Sequence, residues 1–190
     1  MQPPNEAIYT DYLLLLGILK KRARMTLVHR IAKQENLPQI VEIYNSTISS
    51  RMVTADTTPV SIESRVSWFE EHNPEFRPLW VVEIENNVAA WLSFSDFYGR
   101  PAYSKSSELS LYVHEGFRKR GLGSYLLKQA IAEAPALQVG TLLGFIFGHN
   151  FPSLSLFTRY GFSRWGELPQ VAVLDGVERD LVIVGRHVAP

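Results

Sequence analysis

The stretch EGFRKRGLGSYLL (115–127) decides the fold of this chain. Three basic residues, Arg118 to Arg120, precede two glycines, Gly121 and Gly123. The apolar residues on either side predict a strand before the stretch and a helix after it. The first NH groups of a helix have no intrachain acceptors, and the helix dipole adds about half a positive charge there. The sequence therefore predicts a loop that binds an anion, such as the phosphate of a small molecule.

Composition limits what else the basic triplet could do. The chain has 190 residues, with 19 Lys plus Arg and 19 Asp plus Glu, so it lacks the basic surplus of most nucleic-acid-binding domains. It contains no cysteine, which excludes disulfides, thiolate metal sites and a cysteine nucleophile and fits a cytoplasmic protein. Its five histidines lack the spacing of a metal site, so we predict no metal and no nucleic-acid partner.

The first 24 residues differ from the rest of the chain. The apolar run Leu13–Leu19 is far shorter than the roughly 20 residues that span a bilayer, and acidic residues precede it where a secretory signal has basic ones. We interpret residues 1–24 as a helical extension that packs on the body of the protein or on a second subunit, rather than as a membrane anchor. Residues 25–190 then form a single domain.

From Thr26 onward the hydrophobic pattern alternates between strand and helix spacing. We expect Asn86 and Asn87 to form one hairpin turn and Asp175–Gly176 another, because these residues tolerate positive φ. Together the segments predict an α/β domain with a mixed sheet. Strands are predicted at 27–32, 79–85, 88–97, 108–114, 140–148 and on both sides of Asp175–Gly176, and helices at 35–48, 61–72, 124–134 and 152–161.

The spacing of the glycines narrows the kind of anion loop. The glycine patterns of P-loop and dinucleotide-binding folds do not occur in this stretch. Arg118-x-x-Gly121-x-Gly123 after a strand resembles the pyrophosphate loop of the GNAT superfamily of acyl-CoA-dependent N-acetyltransferases. A solvated basic loop is the alternative for so short a motif. HNFPSLSLFTRYGF (149–162) resembles the second coenzyme A element of the same superfamily and favours the first interpretation.

Longer segments resemble one branch of that superfamily, the phosphinothricin acetyltransferase-like proteins, over about residues 26–187. The resemblance implies a GNAT fold. Its mixed, mostly antiparallel central sheet has about seven strands, with a V-shaped opening between the two central ones, and is flanked by about four helices. The segments are IYNSTI (43–48), PVSIESRVSWFEEH (59–72), FSDFYGRPAY (94–103), ELSLYV (108–113) and WGELPQVAVLDGVERDL (165–181).

The resemblance also implies an activity. It is the transfer of the acetyl group of acetyl-CoA to the primary amine of a small acceptor, such as an amino acid, phosphinothricin or methionine sulfoximine. A primary amine is mostly protonated near neutral pH, so the reaction needs a proton acceptor. Glu108 matches the position of the base in this branch. It would act through a water or with a raised pKa, because an ordinary carboxylate is a weak base. A surface glutamate at a strand end is the alternative.

The coenzyme site that the resemblance implies is built from three segments. The strand after Glu108 bends away from its neighbour at a bulge, so that its backbone pairs with the pantetheine arm. The basic loop binds pyrophosphate, and the helix after Asn150 completes the site. Phe157 stands where the superfamily usually has Tyr, or often His in this branch, so we assign no general acid. The implied coenzyme-binding residues are Leu111, Tyr112, Val113, Arg118, Lys119, Arg120, Gly121, Leu122, Gly123, Ser124, Asn150 and Ser153.

The acceptor site is implied by the loop before this strand. Arg100 would make a two-pronged contact with a substrate carboxylate and Tyr103 would line the pocket, with residues 49–59 as further wall. A loop-capping role is the alternative for Arg100. Two other functions stay open, namely transfer to another amine (a polyamine or a protein N-terminus) and a coenzyme-binding sensor or scaffold that has lost turnover. We expect a homodimer through the tail strands and the Leu13–Leu19 run, because two-fold dimers are the commonest assembly.

Overall fold

The computed structural model describes residues 26–188, so the interpretation of residues 1–24 lies outside the described residues. Within the described range, no helix is long and apolar enough to cross a membrane. The strands are β1 (His29–Ile31), β2 (Leu79–Ile84), β3 (Asn87–Asp96), β4 (Ser106–Val113), β5 (Thr141–Phe147), β6 (Ser163–Leu174) and β7 (Val177–His187), and the helices are α1 (Leu37–Ile48), α2 (Val66–Glu70), α3 (Leu122–Glu133) and α4 (Phe151–Arg159).

The described strands form one seven-stranded sheet in the order β1-β2-β3-β4-β5-β7-β6. Neighbouring strands are antiparallel except β4 and β5, which are parallel. Helices cover both faces. On one face α3 buries Leu126 and Ala130 in a cluster with Phe94 of β3, and on the other α1 buries Ile43 in a cluster with Trp91. The helices shield the sheet backbone that they cover. A polar ligand can therefore reach this backbone at an edge of the sheet or where two strands separate.

The two central strands separate after three residues of pairing. β4 and β5 pair only from Ser106 to Glu108, while β4 stays paired with β3 as far as Val113 and β5 stays paired with β7 as far as Phe147. The predicted V-shaped opening is thereby confirmed. The predicted bulge in β4 is wrong, because its register with β3 runs unbroken from Ser107 to Val113. The opening arises because β4 stays paired with β3, and β5 stays paired with β7, beyond the point where β4 and β5 separate.

The hairpin turns follow local backbone preference with one shift. Asp175 and Gly176 form the β6–β7 turn with φ of 50° and 79°, as predicted. In the β2–β3 hairpin the turn residues with positive φ are Glu85 and Asn86, not Asn86 and Asn87. Asn87 pairs with Ile84 in the ladder, and its side-chain amide donates to the carbonyl oxygen of Glu85 at 2.9 Å. The sequence prediction was therefore displaced by one residue.

Several predicted elements differ in length from the structure; the strand expected over 27–32, for example, spans His29–Ile31. The helix expected over 61–72 is a 3-10 turn at Glu63–Arg65 followed by the short α2, and the Ser61 hydroxyl accepts a hydrogen bond from the NH of Ser64 at 3.2 Å. The strand expected from residue 171 already begins at Ser163, and its register with β7 shifts twice. These irregular pairings broke the alternation on which the sequence prediction relied.

Gly144 in β5 provides a test of how tightly α4 packs on the sheet. A Cβ at this position would lie 3.0 Å from Cε1 of Phe157 and 3.2 Å from Cγ2 of Val184. We expect Gly144→Ala to lower the free energy of unfolding by about 1–3 kcal/mol through overpacking. Urea denaturation measures the change. Gly140→Ala is the matched control, because its Cβ would come no closer than 4.0 Å to another atom; equal losses in both variants would contradict the packing argument.

Candidate active site

The gap between β4 and β5 opens into a cleft. Its cavity holds about 60 Å³ and is bounded by both strands, by α4 and by the loop that follows α1. The cleft brings together six residues singled out from the sequence, which come from two separate elements. They are Glu108, Leu111, Tyr112, Asn150, Ser153 and Phe157.

Glu108 is the last β4 residue that pairs with β5. The residue is half-buried and lines the cleft, and burial raises the pKa of its carboxyl group above the ordinary glutamate value. A raised pKa makes a carboxylate a stronger proton acceptor. Within residues 26–188 no group of three or more His, Cys, Asp or Glu side chains is arranged to hold a metal ion. The raised pKa suits the Glu108 carboxylate to proton transfer.

The β4 backbone beyond Glu108 has one edge without a strand partner. From Leu109 to Val113 the edge that faces β5 is unpaired in the sheet, whereas β3 holds the opposite edge in continuous register. Leu111, Tyr112 and Val113, which were predicted to contact a coenzyme, lie in this segment. Their backbone NH and C=O groups can pair with an extended polar ligand in the way that a further strand would.

The basic loop runs from a 3-10 turn at Glu115–Phe117 to the start of α3. Gly121 precedes the helix with φ of +84°, a left-handed conformation that favours glycine, and no side chain caps the helix. The first NH groups of α3, from Leu122 to Ser124, are therefore left for an external acceptor. The side chain of Leu122 is buried in the core, so only its backbone can contact a ligand.

The three basic side chains of the loop have different surroundings. Arg120 donates to the carbonyl oxygen of Gly116 at 3.2 Å, and its guanidinium carbon lies 5.1 Å from the centre of the Phe117 ring. Arg120 therefore braces the loop itself. All three basic residues are exposed. The loop thus combines three exposed cations with an uncapped helix N-terminus, which is an arrangement suited to a phosphate group.

Asn150 has structural contacts that the sequence did not reveal. Its Oδ1 accepts from the NH of Ser153 at 3.2 Å and caps α4, while its Nδ2 donates to the carbonyl oxygen of Met52 at 2.8 Å. The neighbouring His149 donates from Nε2 to the carbonyl oxygen of Arg51 at 2.8 Å. These two residues tie α4 to the loop after α1, so one wall of the cleft depends on them.

Phe157 is a residue of α4 whose side chain packs on β5. Its side chain is 4% exposed, and its ring makes an edge-to-face contact with Phe162 at a centroid distance of 4.8 Å. It contributes an apolar surface to the cleft and belongs to the main core. The residue therefore packs the helix on the sheet and offers no proton donor at this position.

Arg100 and Tyr103 lie in a different recess from Glu108. They line a surface depression with Arg77 and Phe97 that shares no lining residue with the cleft. The Phe97 ring stacks on Phe145, which lines the cleft, at a centroid distance of 6.2 Å. This aromatic pair stands between the two recesses. The structure therefore does not bring the predicted carboxylate-binding arginine together with the predicted base.

A third recess, of about 170 Å³, was missed by the sequence analysis. Four of its nine lining residues are aromatic, one each from α1, α2, β3 and β4, and it shares Ser110 and Tyr112 with the cleft. Its tryptophans, Trp68 and Trp91, follow the same apolar pattern as the core residues around them. No sequence signal distinguishes an aromatic residue that lines a recess from one that fills a core, so only the structure could reveal it.

Comparison with known proteins gives the family that the basic loop resembles. The profile of the acetyltransferase (GNAT) family matches residues 38–162. "Putative phosphinothricin acetyltransferase YwnH" of Bacillus subtilis is 55% identical over 161 residues, which cover 84% of this chain and 98% of that protein. "L-methionine sulfoximine/L-methionine sulfone acetyltransferase" of Pseudomonas aeruginosa is 29% identical over 162 residues, which cover 85% of this chain and 94% of that protein.

A solved structure agrees with these matches. The GNAT superfamily phosphinothricin acetyltransferase of Sinorhizobium meliloti, in complex with AcCoA, superposes with a TM-score of 0.82 at 26% identity and covers 87% of this chain and 90% of that one. The residues of the family match include both separated strands, the basic loop and α4. Since the match spans most of the described domain and a relative is 55% identical, this chain belongs to the acetyltransferase (GNAT) family.

Proposed function

We propose that this protein transfers the acetyl group of acetyl-CoA to the α-amine of an amino acid or an amino-acid analogue. The observation that carries the proposal is the half-buried Glu108 carboxylate, which lines the cleft at the point where β4 and β5 separate. The relatives support the substrate class, since their names refer to phosphinothricin and to methionine sulfoximine and sulfone. The AcCoA complex of the S. meliloti protein supports the donor.

The proposed chemistry uses a proton acceptor and a hydrogen-bond donor of β4. When bound, acetyl-CoA supplies the acetyl group as a thioester. Glu108 accepts a proton from the acceptor ammonium group, directly or through a water, which frees the nitrogen lone pair for attack. A β4 backbone NH beyond Glu108 donates to the carbonyl oxygen as negative charge develops there. A C–N bond forms as the C–S bond breaks, the nitrogen releases its second proton to solvent as the neutral amide forms, and the coenzyme thiolate takes a proton from solvent.

The residues of the donor site fit the proposed ligand. The uncapped N-terminus of α3, with the exposed Arg118 and Lys119, suits a pyrophosphate group. The unpaired edge of β4 at Leu111–Val113 suits the amide groups of the pantetheine arm. Asn150 and Ser153 would contribute to the wall of the cleft on the α4 side. In this proposal the backbone of the loop carries more of the recognition than its arginines.

For the acceptor carboxylate we keep Arg100 as the proposed contact and Tyr103 as part of the wall. Arg100 is exposed on the loop that leads into β4, and its guanidinium suits two-pronged carboxylate binding. The Phe97–Phe145 pair stands between this loop and the cleft. The proposal therefore requires the loop from residue 97 to residue 105 to move when the acceptor binds.

A second candidate function is a coenzyme-binding sensor or scaffold without turnover. The observation that favours it is Phe157, which offers no proton to the leaving thiolate. A thiol has a pKa of about 8.5, so its thiolate leaves without an acid more readily than an alkoxide would. Acetyl transfer therefore stays the leading proposal. Release of free thiol from acetyl-CoA in the presence of an amino-acid panel separates the two functions.

We further propose that the protein is a homodimer that joins through β6, at the outer edge of the sheet. Leu168, Val171 and Val173 on this strand are 42%, 56% and 61% exposed. An edge strand with exposed apolar side chains invites pairing with another chain, and a two-fold contact is the commonest solution. The proposed location is the cytoplasm, which the cysteine-free sequence fits.

Glu108→Gln tests the proposed base. We expect kcat to fall by about 10²–10⁴-fold, because glutamine cannot accept the proton. Since burial raises the Glu108 pKa, the wild-type kcat should decline as the pH falls through a value above 4.5, and the variant should lack this decline. Steady-state kinetics across pH measure both effects.

Two controls separate chemistry from folding. Burial of the Glu108 charge disfavours the folded state above the raised pKa, so the variant should be more stable than the wild type at neutral pH and no more stable at a pH of about 3. Glu42→Gln, at an exposed glutamate of α1, should change neither rate nor stability. A Glu108→Gln variant with unchanged kcat would refute the assignment.

Gly121→Ala tests the pyrophosphate loop. Gly121 has φ of +84°, and a Cβ there meets no atom within 4 Å, so the substitution costs backbone strain without a clash inside the protein. We expect a KM for acetyl-CoA raised by about tenfold or more, because the helix N-terminus shifts away from the phosphates.

Gly176→Ala is the matched control for this measurement. Gly176 has φ of +79° and equally open surroundings, but it lies in the β6–β7 turn. It should lose similar stability in thermal denaturation and keep its KM for acetyl-CoA. If both variants showed the same KM, the loop would not be the coenzyme site.

The proposed dimer is tested by charge on β6. Val171→Asp combined with Val173→Asp should convert a dimer to a monomer in sedimentation velocity, because isologous contact brings the like charges of two copies together. Val28→Asp, at a residue that is 65% exposed near the opposite edge of the sheet, should leave the dimer intact. A monomeric wild type, or a dimeric double variant, would disprove this interface.

A further inference from the structure

The recess of about 170 Å³ beside the cleft has an aromatic wall. Trp91 of β3 and Tyr112 of β4 are register partners, and their rings stack at a centroid distance of 4.3 Å. Trp68 of α2 meets Trp91 edge to face at 5.8 Å, and Tyr44 of α1 lies 5.3 Å from Tyr112. We call this site the aromatic recess. Its lining residues are Ile40, Val41, Tyr44, Val60, Arg65, Trp68, Trp91, Ser110 and Tyr112.

The aromatic recess is continuous with the cleft. Ser110 and Tyr112 line both of them, and Glu108 lines the cleft. Side chains alternate along a strand, so Glu108, Ser110 and Tyr112 project from the same face of β4. A small molecule whose amine contacts Glu108 therefore has the aromatic recess next to it, one strand repeat away.

The charges at the aromatic recess are balanced. Arg65 donates from Nη2 to Asp56 at 2.9 Å, and the Tyr44 hydroxyl donates to the same carboxylate at 2.5 Å. Burial raises the pKa of the Tyr44 and Tyr112 phenols, which keeps both neutral at physiological pH. Among the described residues that line the recess, Arg65 is the one cation, and its pairing with Asp56 offsets its charge, so its field does not favour an anionic group.

Size and wall chemistry point to the kind of group that fits. A cavity of about 150 Å³ with an apolar wall is large enough to hold benzene. The aromatic recess is of similar size and has faces suited to a thioether, a sulfone or a phenyl ring. A methyl group would leave most of this space unfilled, and a carboxylate would lose its hydration without gaining a free cation.

We propose that the aromatic recess binds the side chain of the acceptor amino acid and selects neutral side chains of about the size of methionine or phenylalanine over short and over anionic ones. This inference rests on the proposed function, which it deepens by assigning the substrate class. Of the acceptors in the names of the relatives, it favours methionine sulfone and methionine sulfoximine over phosphinothricin, whose phosphinate is anionic.

The primary test is a comparison of kcat/KM across acceptors of graded size with the full-length protein. L-methionine, L-methionine sulfone and L-phenylalanine should exceed L-alanine by at least about tenfold, because one or more methylene groups are worth about 10- to 200-fold in an apolar pocket. L-glutamine should exceed L-glutamate, and methionine sulfone should exceed phosphinothricin. Equal rates across the series, or a preference for alanine, would overturn the inference.

Val60→Phe assigns the selectivity to the aromatic recess. Val60 lines it, and Asn45 holds the Val60 backbone through two hydrogen bonds of 2.9 Å that do not involve the Val60 side chain. A phenyl ring at this position fills the space, so kcat/KM for methionine sulfone should fall by about tenfold or more while that for alanine stays within about threefold. Val28→Phe, at an exposed position, should leave both values unchanged. Parallel losses for both acceptors in Val60→Phe would overturn the inference.

Asp56→Asn tests the charge argument. Removing this carboxylate leaves Arg65 without its neutralising partner, so the ratio of kcat/KM for glutamate to that for glutamine should rise by about fivefold or more. An unchanged ratio would contradict the assigned charge balance.

A binding measurement separates failure of the inference from failure of the proposed function. In the presence of coenzyme A, methionine sulfone should change the tryptophan fluorescence, because Trp68 and Trp91 line the aromatic recess, and Val60→Phe should abolish the change. Binding of this kind without acetylation of any amino acid would refute the proposed function and keep the side-chain site. Acetylation of phosphinothricin without any effect of Val60→Phe would refute the side-chain site and keep the proposed function.

Discussion

The separation of β4 from β5 after Glu108 is the constraint on which the rest of the structure depends. Interior strands normally satisfy both backbone edges, and an unpaired edge in the middle of a domain needs a polar partner. Here β4 stays paired with β3 and β5 stays paired with β7, so the pairing of the sheet itself produces the opening. Glu108 is half-buried because it is the last residue of β4 before that opening, and the same burial raises its pKa. The fold thus creates the unpaired backbone edge and the proposed proton acceptor together.

The two helices that flank the opening begin in contrasting ways. Asn150 caps α4 with its own side chain and ties it to Met52, so that N-terminus is already satisfied within the protein. Gly121 begins α3 without a side-chain cap, and Gly123 lets the first turn approach Leu111 and Leu156, since a Cβ there would lie 3.6 and 3.3 Å from them. Of these two described helices, α3 is the one whose N-terminus lacks a side-chain cap and has exposed cations beside it. This difference supports the proposal that the anion site lies in the basic loop rather than at α4.

Local patterns predicted most of the fold and the position of the glycine-rich loop at the start of α3, because strand alternation, helix spacing and a glycine-rich helix start are features of consecutive residues. The turn at Glu85 and Asn86 and the unbulged β4 were missed, since register depends on the pairing of distant strands. The tether from Asn150 to Met52 spans 98 residues and left no local signal. The aromatic recess was invisible for a different reason, because Trp68 and Trp91 match the pattern of buried core residues and their cavity depends on how α1 and α2 pack.

Phe157 illustrates how packing and chemistry compete at one position. Its ring is 4% exposed, lies edge to face on Phe162 and approaches Gly144 so closely that a Cβ there would be 3.0 Å away. A side chain packed this tightly fixes α4 on the sheet. A residue that delivers a proton must instead contact the reacting atoms. The proposed reaction tolerates that choice because the leaving group is a thiolate, whose conjugate acid has a pKa of about 8.5. In that proposal the proton that must move before bond formation is the one on the amine, and the raised pKa of Glu108 suits that step. The proposed acid–base chemistry therefore lies on the acceptor side of the cleft, next to the aromatic recess.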